Sequence, residues 1–152
     1  MNIIFLDVDG VLNSDGFSTE RYMILKRAVR AEEFFDPTCL KCLKKIVEET
    51  EAKIVVTSSA MINDMELLEN KLREYNINIF SKTKNYGDRR GAQIREWLSE
   101  HNDVENYIIL DDDYFMDYPG LDDHIVKTSF YSGRGLNESH VPKAIKLLKG
   151  AK

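Results

Sequence analysis

The chain has 152 residues, a net charge of −5 and 43% hydrophobic residues. This length fits a single domain, over residues 1–152, that buries roughly 70% of its unfolded surface. The acidity argues against a general nucleic-acid-binding protein. No apolar run is long enough to span a membrane, and the amino terminus has no basic leader. A cytoplasmic protein with no membrane partner is therefore expected.

Residues 3–13 carry the strongest functional signal. They begin with four large apolar residues, which predict a strand buried on both faces, as in parallel sheets covered by helices. Asp7 and Asp9 follow, and Gly10 lets the chain turn, so both carboxylates can enter one crevice at the carboxyl end of the strand. A hairpin at Asp9-Gly10 is disfavoured because residues 13–16 have loop composition. Two adjacent carboxylates favour a hard cation such as Mg²⁺.

A second apolar strand, over residues 53–56, ends in hydroxyl side chains. Helix capping and turn formation are common uses of such hydroxyls. A functional alternative is that one hydroxyl, with a neighbouring backbone N–H, holds a phosphoryl oxygen. Thr57 and Ser58 both fit this role, so both are candidates.

A second acidic cluster follows the apolar strand at residues 107–110. Asp111, Asp112 and Asp113 come directly after it, and Asp117 lies four residues further on. Adjacent like charges at the end of a strand cost stability unless a cation or solvent offsets them. The cluster is therefore either a metal site or an exposed turn.

Basic residues are concentrated in two short segments of this acidic chain. Nine of the 21 basic residues lie there, namely Arg21, Lys26, Arg27, Arg30, Lys82, Lys84, Arg89, Arg90 and Arg95. Both segments adjoin predicted site-forming loops, and such patches bind phosphate backbones. Solvated surface charges are the alternative.

The remaining elements alternate between strand and helix. Helices are predicted from Asp36, from Asn63, across residues 90–101 and from about residue 138, and short strands are predicted at residues 76–80 and 124–128. Residues 18–35 fit either a helix or a flap. This alternation predicts an α/β fold: a single Rossmann-like domain with a five-stranded parallel sheet and helices on both faces. The acidic and hydroxyl residues then meet at one sheet edge.

The Cys39 and Cys42 pair has Cys-x-x-Cys spacing. A metal site would need a second pair, and a redox site would need a thioredoxin-like context. Neither is present, so two reduced thiols are expected.

The stretch Asp7-Val8-Asp9-Gly10-Val11-Leu12 resembles the first motif of the haloacid dehalogenase-like (HAD) superfamily. The strand ending in Thr57 and Ser58 is similar to the second motif, and Asp111-Asp112 with Asp117 is similar to the fourth. The run from Arg90 to Leu98 resembles that of a small capless HAD group, which includes domains of multidomain RNA repair proteins. Fewer than thirty residues separate Asp9 from the next helix, too few for a cap domain.

This resemblance implies a Mg²⁺-dependent phosphatase that forms an aspartyl phosphate on Asp7, with Asp9 as general acid and base. It also implies a phosphate contact from Thr57 or Ser58 and another from a basic residue, for which Arg90 is preferred over Lys82 and Lys84. Its implied metal ligands are drawn from Asp7, Asp9, Asp111 and Asp112.

The substrate is expected to be a phosphorylated nucleic-acid end or a small phosphoester. A response-regulator receiver is disfavoured because the third strand has no Asp at its end. A HAD-like binding module with incidental activity is the remaining alternative.

Overall fold

The computed structural model describes residues 1–57, 64–84, 87 and 89–150. A five-stranded parallel sheet forms its centre. In chain order the elements are β1 (Asn2–Leu6), α1 (Asp15–Leu25), α2 (Pro37–Thr50), β2 (Lys53–Val56), α3 (Met65–Arg73), β3 (Ile79–Lys82), α4 (Arg90–Ser99), β4 (Asn106–Asp111), β5 (Ile125–Lys127) and α5 (Val141–Leu148). The strand order is β3-β2-β1-β4-β5, so β1 lies in the middle, as its apolar sequence predicts.

Strand β1 contributes to two separate cores because successive side chains point to opposite faces of the sheet. Ile4 and Leu6 pack with buried residues of α2, α3 and α5, whereas Ile3 and Phe5 pack with residues of α4. The Phe5 ring meets the Trp97 ring edge to face, with centroids 5.5 Å apart. Helices therefore cover both faces, and the α/β prediction is confirmed.

Helix α2 begins as its sequence predicts. The Asp36 side chain accepts a hydrogen bond from the Thr38 N–H at 2.9 Å, and Pro37 occupies the first helical position. The predicted thiols are also found, since Cys39 and Cys42 are both buried and free. Burial raises the pKa of Cys39 to about 12, which keeps this thiol protonated and unreactive.

Strand β5 and helix α5 begin slightly later than predicted, at Ile125 and Val141, and two other elements differ for an identifiable reason. The third strand begins at Ile79 rather than at residue 76, because Asn76 has a positive φ of 59° in the turn after α3. In the ambiguous region, α1 begins earlier than expected, because the Ser14 hydroxyl caps it by accepting from the Phe17 N–H. Only α1 and a short 3₁₀ turn occur between Asp9 and α2, so no cap domain is inserted there. None of the described helices has the length and apolar character of a membrane span.

Candidate active site

The ends of β1 and β4 bring three carboxylates together. Leu6 pairs with Leu110 in the sheet, so Asp7 and Asp111 lie side by side where the strands end, and Asp112 follows. One carboxylate oxygen from each of Asp7, Asp111 and Asp112 lies within 4.8 Å of the other two. We call these three residues the acidic group.

Burial and mutual repulsion make this acidic group hard to ionise fully. Burial, followed by the charge of Asp111, raises the pKa of Asp7 to about 8, although Arg90 opposes the shift. Burial and the Asp111 charge also raise the pKa of Asp112. A bound cation would relieve this repulsion.

The donor set of the acidic group fits Mg²⁺, which prefers carboxylate oxygens. The Asp111 carboxylate has fewer lone pairs free to bind a metal ion. Its Oδ2 already accepts hydrogen bonds from Arg90 at 3.0 Å and from the Tyr118 hydroxyl at 2.7 Å. Gly10 makes room for Asp112, because a Cβ atom at Gly10 would collide with the Asp112 side chain. Asp7 and Asp112 are therefore the more available ligands, with Asp111 completing the set.

Arg90 is the cation that the fold places against the acidic group. It is the first residue of α4 and is only 4% exposed. Its Nη1 lies 3.0 Å from Asp111 Oδ2, 3.4 Å from Thr57 Oγ1 and 3.6 Å from Asp7 Oδ1. Its Nε is buried and has no hydrogen-bond partner among the described residues.

The other two basic candidates lie elsewhere. The Lys84 ammonium forms an ion pair with Glu96 at 2.9 Å, and Lys82 is exposed at the end of β3. In the described parts of the chain, neither forms an ion pair with the acidic group.

Thr57 lies beside this centre, directly after β2. It is 4% exposed, and its backbone N–H donates to the Leu6 carbonyl at 2.9 Å. Its hydroxyl therefore lies at the same sheet edge as Asp7. The other hydroxyl candidate, Ser58, lies outside the described residues.

The structure does not bring the Asp9 carboxylate into the acidic group. Asp9 is exposed, and its Oδ1 accepts from Asn13 Nδ2 at 3.0 Å. Asn13 also accepts from the Gly10 N–H at 2.9 Å, which closes the loop. Asp9 lines a neighbouring cleft together with Asn13 and Asp112. This position suits proton exchange with a group in the cleft better than metal ligation alongside the other three carboxylates.

Asp117 belongs to the stretch that resembles the fourth motif, but its sequence position alone predicted no separate role for it. Its carboxylate accepts from the Gly91 N–H at 2.9 Å and from the Ala92 N–H at 2.7 Å, so it caps α4 from outside the helix. A Cβ atom at Gly91 would collide with the Asp117 carbonyl. Asp117 thus fixes the helix end that carries Arg90, and its place in the fourth-motif pattern was the signal that could have identified it.

We expect Asp117→Ala to lower the free energy of unfolding by about 1–2 kcal/mol, because two helix-end N–H groups lose their acceptor. It should also displace Arg90 and so lower the activity of the site. Urea unfolding and steady-state kinetics measure the two losses, and both should be smaller in Asp117→Asn than in Asp117→Ala. Wild-type values for both quantities in Asp117→Ala would contradict this positioning role.

Comparison with known proteins adds family evidence to this geometry. A family model described as the HAD domain in Swiss Army Knife RNA repair proteins matches residues 3–141. This range includes the acidic group, Thr57, Arg90 and Asp117. No curated protein and no solved structure gives a significant match. Because the family model covers most of the chain, the chain belongs to the family of HAD domains found in Swiss Army Knife RNA repair proteins.

Proposed function

We propose that this protein is a Mg²⁺-dependent phosphomonoesterase that forms an aspartyl phosphate on Asp7. Membership in the HAD family supports a phosphohydrolase activity in general. The observation that carries the finer proposal is a buried arginine placed between the candidate nucleophile and a second carboxylate: Arg90 Nη1 lies 3.6 Å from Asp7 Oδ1 and 3.0 Å from Asp111 Oδ2. Such an arginine can hold the oxygens of a phosphoryl group beside the attacking carboxylate.

The reaction has two displacement steps. Asp7 attacks phosphorus, so a bond forms between its carboxylate oxygen and phosphorus while the ester P–O bond breaks. Asp9 donates a proton to the leaving oxygen. Water then attacks the aspartyl phosphate and gives its proton to Asp9, which releases inorganic phosphate and restores the Asp7 carboxylate.

Two side chains would hold the phosphoryl group during both steps. The buried guanidinium of Arg90 supplies positive charge and N–H donors, and the Thr57 hydroxyl lies 3.4 Å from it. Asp7, Asp111 and Asp112 would hold Mg²⁺, which when bound offsets the repulsion between these carboxylates and an anionic substrate.

Mg²⁺ binding should be measurable without a substrate. At about 100 times its dissociation constant, Mg²⁺ should stabilise the fold by roughly 2.7 kcal/mol, because the unfolded chain lacks the assembled site. For a chain of this size this corresponds to a rise in Tm of roughly 5 to 11 °C. Asp112→Asn should lose most of this rise, while melting at or above the Tm of the metal-free wild type, because it removes both a ligand and a repelling charge. A wild-type Tm that does not respond to millimolar Mg²⁺ would argue against the metal site.

We also propose a phosphorylated nucleic-acid end as the substrate, with a small phosphoester as the alternative. The basic segment at residues 21–30 supports this proposal, although Arg27 is engaged by Glu33 in a two-point contact at 2.8 and 3.0 Å. The exposed side chains of Lys26 and Arg30 are the better candidates for phosphate contact.

Salt dependence distinguishes these substrates. Activity on a 3′- or 5′-phosphorylated oligonucleotide should fall steeply as salt rises, whereas activity on a small phosphoester should change little. The double variant Lys26→Glu/Arg30→Glu should lower only the oligonucleotide activity, and Lys146→Glu/Lys149→Glu at the end of α5 is the charge-matched control. Equal salt slopes for both substrates would favour the small phosphoester. Phosphopeptides are the third class of substrate in this screen. Tight binding of an oligonucleotide, without phosphate release from any of the three classes, would favour a binding module.

A further inference from the structure

An aromatic cleft of about 570 Å³ adjoins the candidate proton donor. Asp9 and Asp112 line one part of it, and four aromatic side chains line other parts, namely Phe34, Phe35, Phe130 and Tyr131. We call this space the aromatic cleft. The chemistry proposed above uses none of these rings, so they require a separate explanation.

The aromatic cleft is larger than a single ring needs. A cavity of about 150 Å³ is enough for benzene in a protein interior. A cleft of about 570 Å³ therefore has room for a bicyclic ring together with a sugar. Its position beside Asp9 is where the leaving group would lie if Asp9 protonates the leaving oxygen.

Tyr131 is unusually exposed for an aromatic residue that lines a cleft. It is 83% exposed, and its ring meets Phe130 edge to face, with centroids 4.9 Å apart. The loop that carries both residues is tied to α1, because the Phe130 carbonyl accepts from the Asp15 N–H at 3.0 Å. An accessible ring on an anchored loop is well suited to stack against a planar ligand.

We propose that the aromatic cleft binds the base of the terminal nucleotide whose phosphate is removed. This inference rests on the proposed phosphatase function and specifies its leaving group. The base stacks against Tyr131 and Phe130, while the sugar oxygen bonded to phosphorus lies towards Asp9. The cleft is thus a binding site for a nucleobase next to the acidic group.

The surroundings of the cleft favour a nucleotide over a phosphotyrosine side chain. Ser18 and Ala31 also line the cleft, and they flank the stretch of residues 21–30, which contains four basic residues and no acidic one. Basic side chains on the segment that connects these two lining residues suit a polyanion that continues out of the cleft, although Arg27 is paired with Glu33 and Asp64 also lines the cleft. The volume also exceeds what one phenyl ring would fill.

The decisive experiment compares two phosphorylated oligonucleotides that differ only in the terminal base. One ends in an intact nucleotide and the other in an abasic sugar, so backbone charge and leaving oxygen are matched. We expect kcat/KM to be about 10-fold higher for the intact end, because stacking adds affinity for the base. Tyr131→Ala should reduce this ratio to below about 3-fold. Phe80→Ala, which removes an exposed ring outside the cleft, should keep the wild-type ratio.

The results of this experiment distinguish a failure of base recognition from a failure of the proposed phosphatase function. Equal kcat/KM values for the two ends in the wild type would overturn it, as would a ratio that survives both Tyr131→Ala and Phe130→Ala. A higher kcat/KM for a phosphotyrosine peptide would overturn the choice of nucleotide. Failure to release phosphate from any substrate, glycerol phosphate included, would instead overturn the phosphatase proposal. In that case the affinities of the two oligonucleotides, measured by fluorescence anisotropy, still decide whether the cleft recognises a base.

Discussion

Asp7→Asn should lower turnover of a generic aryl phosphate by about 1000-fold or more, because an amide oxygen is a far poorer nucleophile than a carboxylate. The substitution keeps the size of the side chain, so the sheet edge should be preserved. Phosphate release at saturating substrate measures the effect. Retention of more than about a tenth of wild-type turnover would exclude covalent catalysis by Asp7.

The stability of Asp7→Asn is the control for misfolding. Because the pKa of the Asp7 carboxyl is raised from 3.8 to about 8 in the folded state, the metal-free fold holds more protons than the unfolded chain between these values. Its stability should therefore fall as pH rises through this window. Asp7→Asn removes this pH-dependent loss of stability. At pH 7.5 and without metal, the Tm of the variant should therefore be higher than that of the wild type. An inactive variant with a raised Tm cannot owe its inactivity to unfolding.

Arg90→Met should have the second large effect, on activity and stability together. Loss of the guanidinium removes a contact to the phosphoryl oxygens, which should lower kcat about 100- to 1000-fold. It also leaves Asp7 and Asp111 without their buried cation, which should cost on the order of 3–5 kcal/mol in the free energy of unfolding. Urea unfolding and phosphate-release kinetics measure the two losses.

Three further variants test whether this effect is specific. Arg90→Lys should restore little activity, because a lysine side chain is shorter and carries one nitrogen, whereas a guanidinium can donate to two phosphoryl oxygens at once. Lys82→Met and Lys84→Met remove the alternative basic residues and should keep near wild-type turnover. Loss of activity in either lysine variant, with retention in Arg90→Met, would reverse the assignment.

The fold could be predicted because its central strands carry local signals. The apolar run before Asp7 and the one before Asp111 are both buried on two faces, so each specifies an interior strand of a parallel sheet from its own residues, whereas only the structure shows that the two strands are neighbours. The approach of Asp7 to Asp111 then follows from the shared sheet edge. Strand β3 was less predictable, since its start depends on the backbone turn at Asn76.

The supporting parts of the candidate site were harder to predict because they depend on contacts between distant residues. Asp117 caps a helix that begins 27 residues earlier in the chain, and the motif that contains Asp117 does not indicate that partner. Asn13 fixes Asp9 through a loop hydrogen bond that its loop composition does not specify. The aromatic cleft combines loop residues near 34 and 130, which share no periodic pattern.

The central claim is that the phosphoryl group is transferred to Asp7, and trapping the phosphorylated enzyme tests it most directly. Asp9→Asn should slow hydrolysis of the aspartyl phosphate, while an aryl phosphate, whose leaving group needs little protonation, still reacts with Asp7. Quenching this variant during turnover, reducing with borohydride and mapping peptides by mass spectrometry should show homoserine at position 7. Turnover with an unmodified Asp7, or with the modification at another carboxylate, would contradict the account.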